Sequence, residues 1–265
     1  MYSKTQLALK YLQYYFAASN GKGHGIHSPF VFDFITKVLS DKRYFYSYGQ
    51  IEQQRHNLLS DTRKLLIEDF GAGSRIIKTR ERTVQSIARS SLKSKKFGQL
   101  LFRIVNYYQP NMIVELGTSL GITTSYLASA KNDAKVISME GSSAVAFVAR
   151  ENFSKLHLIN IELIEGNFDD TLSTVVSSLS SIDFAFIDGN HRYQPTIDYF
   201  SQILSQSNND SIVILDDIHW SKEMEDAWKF VQEQEAVTLT IDLFFIGIVL
   251  LKKEFKVKQH FSVRF

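Results

Sequence analysis

From Met112 onward, short apolar runs alternate with stretches whose apolar positions recur every three or four residues. The first pattern suits a strand buried on both faces. The second suits a helix with one apolar stripe, and the alternation of the two predicts a parallel α/β sheet. Strands are expected at Met112–Val114, Lys135–Met139, Ile159–Ile164, Ile182–Ile187 and Ser211–Leu215. Helices are expected at Ile122–Ala130, from Ser142 to Leu156, at Asp170–Leu179, from Pro195, and after Ser221. The alternation then stops. Val237–Leu243 and Ile246–Leu251 have no helix between them and are predicted to form an antiparallel hairpin at the sheet edge.

Before Met112 the pattern is helical. Tyr2–Ala18 places Leu7, Tyr11 and Tyr14 or Tyr15 at helical spacing, as a docking helix would. Ser28 followed by Pro29 is a helix start, and Phe30, Val31, Phe34 and Ile35 are its expected buried face. Ile51–Leu66 is expected to be a polar helix, and Phe97–Tyr108 an apolar-faced one stopped by Pro110. The chain is therefore divided into a mainly helical extension or lid, 1–95, and a sheet domain, 96–265. Within the extension, Gly21 to Phe30 forms a glycine-rich loop carrying His24 and His27. Such a loop is either a capped turn or a lid over a site.

Composition narrows the class. The 265 residues are 44% hydrophobic, with 30 basic against 28 acidic side chains. Near-balanced charge gives no global case for nucleic acid or a membrane surface. No apolar run approaches the roughly 20 residues that span a bilayer, and lysines interrupt the N-terminus where a signal peptide would be apolar. A cytoplasmic location is expected. There is no cysteine, which excludes disulfides, thiolate zinc sites and covalent cysteine adducts.

The candidate chemistry sits at strand ends. After the strand Met112–Val114 come Glu115, Gly117, Thr118, Ser119 and Gly121, then a helix. A strand, a glycine turn and a helix make a nucleotide-type pocket at the carboxyl end of a strand. The turn lacks the G-x-G-x-x-G of dinucleotide sites, and its acid suits a cationic ligand rather than a phosphate. This disfavours a nicotinamide oxidoreductase. The second strand ends at Glu140-Gly141, where a carboxylate can accept from both ribose hydroxyls. Asn167 and Phe168 follow the third strand and are placed to bond and cover an adenine ring. Asp188 ends the fourth, and Asp216 and Asp217 end the fifth. His191 and His219 are the candidate general bases. A second glycine motif, Asp69-Phe70-Gly71-Ala72-Gly73-Ser74, is set aside because a basic stretch from Arg75 to Lys96 follows it instead of a strand ending in an acid.

The segments VELGTSLG, SMEG, GNFDD, FIDGNH and ILDDIHW resemble the class I S-adenosylmethionine (SAM) methyltransferases, in particular small-molecule O-methyltransferases of the catechol and caffeoyl-coenzyme A type. The resemblance covers Phe97 to Lys253. It implies a Rossmann-like doubly wound sheet of seven strands, the last antiparallel, with SAM as cofactor. Glu115, Gly117, Thr118, Ser119, Gly121, Glu140, Gly141, Asn167, Phe168 and Asp188 would bind SAM. It further implies Mg2+ held by Asp188, Asp216 and Asp217. The family's catalytic lysine is replaced here by His191, and the amide of its metal site by Asp217. His191, Asp188 and His219 are then the catalytic candidates, acting on a small-molecule acceptor. Two rival readings remain open. One is an RNA methyltransferase using the basic stretch 75–96, although no Asn/Asp-Pro-Pro-aromatic motif is present. The other is a SAM-binding or interaction protein without catalysis.

Overall fold

The computed structural model describes residues 1–19, 21, 23, 27–69 and 78–265. The chain divides into two compact units, one formed by Met1–Asp41 with Val175–Phe265 and the other by Lys42–Thr174.

The first unit opens with α1 (Lys4–Ala17), whose Ser3 and Gln6 form a capping box. α2 (Pro29–Asp33) starts with Pro29 at its first turn, as expected, and runs into a π-helical segment, Phe34–Leu39. Val31, Phe34, Ile35, Val38 and Leu39 are buried there. Of the glycine-rich loop, residues 22 and 24–26, including His24, lie outside the described residues. Its flanks pack within this unit: the ring of Phe30 meets that of Phe255 at 5.9 Å.

The second unit contains α3 (Tyr46–Ser60), β1 (Lys64–Asp69), β2 (Lys78–Thr83), α4 (Val84–Ser91), α5 (Lys95–Tyr108), β3 (Met112–Leu116), α6 (Ile122–Ala130), β4 (Lys135–Glu140), α7 (Ser143–Lys155) and β5 (Ile161–Glu165). β3, β4 and β5 are parallel neighbours in that order. α5 buries Phe97, Leu100, Leu101, Ile104 and Val105, an i, i+3, i+4, i+7, i+8 stripe, and ends with Gln109 in the left-handed region just before Pro110. The expected helix Ile51–Leu66 is corrected. α3 begins earlier and stops at Ser60, and Lys64–Asp69 pairs antiparallel with Lys78–Thr83. The polar sequence of β2 hid this hairpin, because neither of its faces writes an apolar alternation. Asp69 thus ends a hairpin strand, not a parallel strand feeding a helix. The glycines of DFGAGS lie in the segment 70–77, outside the described residues.

After α8 (Phe168–Ser177), the chain returns to the first unit with β6 (Ile182–Ile187), α9 (Tyr193–Ser205), β7 (Ser207–Asp216), α10 (Lys222–Glu233), β8 (Leu239–Asp242), β9 (Ile246–Leu250) and β10 (Gln259–Ser262). β6 and β7 are parallel, and β9 runs antiparallel to both β7 and β8, as the missing crossover helix predicts. β10 adds to the expected seven strands by pairing parallel with β8, so the units contribute three and five strands, besides the β1–β2 hairpin. Among the described residues, no helix is long and apolar enough to cross a membrane.

Candidate functional site

Parallel strands bring their carboxyl ends to one edge, so in the second unit the ends of β3, β4 and β5 lie side by side. The turn after β3 is held from below. Gly117 and Thr118 both donate their N–H to Met139 O at 3.0 Å. Ser119 adopts φ +48° and Gly121 φ +80°, two left-handed residues within three positions. A side chain at Gly121 would lie 2.5 Å from the Phe153 ring, so the glycine is required by the close approach of α7 as well as by its φ.

Glu115, expected beside the ligand, is turned inward and is 0% exposed. Its Oε2 accepts from Ser138 Oγ at 2.6 Å and from the Thr124 hydroxyl. Thr118 Oγ1 closes the cluster on Ser138 Oγ at 2.5 Å. Burial pushes the Glu115 carboxyl up to about 7, against the pull of the Ser138 and Thr124 hydroxyls. The sequence pattern by itself does not mark Ser138 or Thr124. A lone serine in the apolar strand Lys135–Glu140 was the available signal.

Glu140 does lie at the turn. Its Oε2 accepts from Ser119 N at 2.8 Å and its Oε1 from Ser142 N at 3.0 Å. Burial raises its pKa, while the N–H groups of Ser142, Ser119 and Gly141 pull the other way. Gly166 N donates to Glu140 O at 2.9 Å, which ties the end of β5 to that of β4. Asn167 caps α8: its carbonyl accepts from Asp170 and Thr171, and its Oδ1 from Asp169 N at 3.3 Å. Phe168, half-buried, begins that helix.

In the first unit, Asp188 directly follows β6 and Asp216 ends its parallel neighbour β7. Asp188, His191 and Asp216 each offer a ligand atom, all within 4.8 Å of one another, and His191 Nε2 lies 3.5 Å from Asp188 Oδ1. Asp217 is outside this group. Its backbone is left-handed at φ +53°, and its N–H donates to Phe245 O at 2.6 Å. The group that could hold a metal ion is thus two carboxylates and an imidazole, whereas the expectation was of three carboxylates. Two hard oxygens and one imidazole nitrogen suit a divalent cation and leave positions for water or an acceptor oxygen.

His219 is committed elsewhere. Its Nε2 meets Asp242 Oδ2 at 2.8 Å, its Nδ1 meets Glu225 Oε1 at 3.3 Å, and its ring stacks on Phe244 at 5.1 Å. Burial works against its charge, but Asp242 and Glu225 outweigh it and hold the pKa above the usual value. This group ties α1 to α10, since Lys10 Nζ and Tyr2 OH also reach Glu225, each at 2.8 Å.

Residues 114–218 match a family described as a methyltransferase domain. A protein of Acanthamoeba polyphaga mimivirus is 26% identical over 154 residues, 50% of this chain and 68% of that one. Among solved structures, an SAH-bound methyltransferase of Podospora anserina superposes with a TM-score of 0.60 at 15% identity, covering 85% of this chain and 97% of that one. An O-methyltransferase of Bacillus cereus in complex with SAH gives 0.56 at 20% identity, covering 83% and 96%. The O-methyltransferase TomG of Streptomyces achromogenes, in complex with SAM, gives 0.57 at 16%, covering 79% and 91%. At such identities the likeness is one of fold, the Rossmann-like α/β fold of these enzymes.

Proposed function

We propose that this chain is a SAM-dependent methyltransferase that methylates a hydroxyl oxygen of a small molecule, a reading that its domain match and its fold support. The observation that carries the cofactor half is the glycine turn held against Glu140 at the joined ends of β3 and β4. Glu140 keeps carboxylate lone pairs beyond its two N–H partners and is the group to accept from the ribose hydroxyls. The backbone of Gly117, Ser119 and Gly141 forms the surface against which the rest of the ligand lies. Glu115 and Thr118 act from beneath, holding the shape of the turn. Asn167 sets the start of α8, which presents Phe168 to the adenine.

SAM supplies the methyl group on a sulfonium. The acceptor oxygen forms the new bond to that carbon as the carbon–sulfur bond breaks, its electron pair staying on sulfur to leave SAH. The hydroxyl proton must leave, and the Asp188–His191–Asp216 group is the candidate to handle it. These three residues would hold a divalent cation, whose positive charge lowers the pKa of a hydroxyl beside it. In the absence of a cation, His191 accepts the proton and Asp188 stabilises the resulting imidazolium. Chelation separates the two cases: EDTA stops turnover in the first and leaves it unchanged in the second.

Calorimetry tests the cofactor half. The protein is expected to bind SAH and not NADH, and Glu140→Ala is expected to weaken SAH binding by about 1.5–3 kcal/mol, the contribution of hydrogen bonds to a charged acceptor. Unchanged affinity in a folded variant would remove Glu140 from the site. Methyl transfer from labelled SAM to a panel of phenols and catechols, run beside structured RNA, tests the acceptor. Label on RNA alone would replace the small-molecule reading.

A further inference from the structure

We propose that Gln54, Ser91 and Asn152 are positioning residues for the cofactor turn, so that α3 and α4 complete the SAM-binding half of the molecule. The inference rests on the SAM reading above and extends it to a region that the matched span, 114–218, does not include.

The turn needs holding. Ser119 is a non-glycine residue in the left-handed region, a conformation that persists where its surroundings over-determine it. Glu140 fixes its N–H. Two further contacts come from elsewhere in the sequence. Ser91 Oγ, at the last residue of α4, lies 2.8 Å from Ser119 Oγ. Asn152 Nδ2, on α7, donates to Leu120 O at 2.8 Å.

The Asn152 side chain is itself oriented. It is 1% exposed, and its Oδ1 accepts from Gln54 Nε2 at 2.6 Å. Gln54 is 6% exposed on α3, and its Oε1 accepts from Asn57 Nδ2 at 3.3 Å. A buried amide can satisfy both ends only in one orientation. With its oxygen taken by Gln54, Asn152 presents its NH2 to the turn. The relay therefore runs in one direction, from α3 through α7 to the carbonyl just before Gly121. Removing Gln54 frees Asn152 to rotate, and removing Asn152 leaves a buried turn carbonyl without its donor.

SAH affinity, measured by calorimetry on the full chain, reads the relay directly. Asn152→Leu and Gln54→Leu should each raise the Kd for SAH by about tenfold, and the double variant should be no worse than either single one, because both break the same chain. Ser91→Ala should raise it about threefold, while Ser91→Thr, which keeps the hydroxyl, should stay within about twofold of wild type. Thermal unfolding is followed in parallel. Wild-type SAH affinity in Asn152→Leu and Ser91→Ala, however much the Tm falls, would overturn the proposal and leave these residues as core polar groups. Where Asn152→Leu fails to fold, the exposed Ser91 pair decides. Failure of the wild-type protein to bind SAH would overturn the SAM reading itself, and this inference with it.

Discussion

At the scale of single residues, the turn between β3 and α6 leaves little freedom. Gly121 combines φ +80° with a close approach, since an added Cβ would lie 2.5 Å from the Phe153 ring. Gly121→Ala should therefore lower unfolding stability by about 2–4 kcal/mol in urea titration, through backbone strain plus overpacking. A loss below half a kcal/mol would mean that α7 yields easily there. Glu115 makes a pH prediction. Its folded pKa, about 7, lies above the usual 4.5, so the folded state holds the proton more tightly than the unfolded chain does. The stability that this contributes is complete below pH 4.5 and is lost as pH rises through 7, about 3 kcal/mol over the whole window. Glu115→Gln should remove that part of the slope. Parallel pH–stability curves for wild type and variant would contradict it.

At the scale of elements, α1 shows which forces dock a helix that buries no residue completely. Tyr2 N bonds Trp220 O at 3.0 Å, Lys10 pairs with Glu225 at 2.8 Å, and the Tyr11 ring stands edge-on to Phe244 at 5.0 Å. The Lys10 and Glu225 side chains are 32% and 21% exposed, so solvent screens their attraction. Lys10→Ala should cost less than about 1 kcal/mol. Tyr11→Ala removes an aromatic contact and its apolar burial and should cost more, about 1–2 kcal/mol. The reverse ranking in denaturant unfolding would make the helix an electrostatically held element.

At the scale of the whole molecule, the two candidate sets of groups belong to different compact units. Glu140, the glycine turn and the amide relay belong to residues 42–174, whereas Asp188, His191 and Asp216 belong to the unit built from 1–41 and 175–265. Each set is built by parallel neighbours within its own unit, β3 with β4 and β6 with β7. The proposed cofactor contacts are Glu140 and the turn backbone, none of them in the acidic set, so cofactor affinity should be independent of any cation there. EDTA and Asp216→Asn should leave the Kd for SAH within about twofold, a change smaller than one net hydrogen bond carries. A tenfold loss on chelation would show that a metal ion takes part in holding the cofactor.

The sequence by itself determined the order of buried strands and helices from Met112 onward, because burial on both faces of a parallel strand writes an apolar run that needs no partner to be read. It also determined which acids stand at strand ends, since Glu140, Asp188 and Asp216 each follow such a run directly. Tertiary structure alone decided the rest. The hairpin of β1 and β2 and the four-residue β10 exist through pairing, which leaves little trace in the polar sequence of β2, in the three apolar residues Leu65 to Ile67 of β1, or in the single Phe261 of β10. Glu115 points inward because Ser138 lies across from it on β4 and Thr124 a turn into α6. His191, and not Asp217, stands with Asp188 and Asp216, and the chain turns left-handed at Asp217. His219 is held by Asp242 and Glu225, and Asn152 meets Gln54 across 98 residues of sequence. In each of these cases a side chain's role follows from the hydrogen-bond partner it finds, and distance along the chain does not specify that partner.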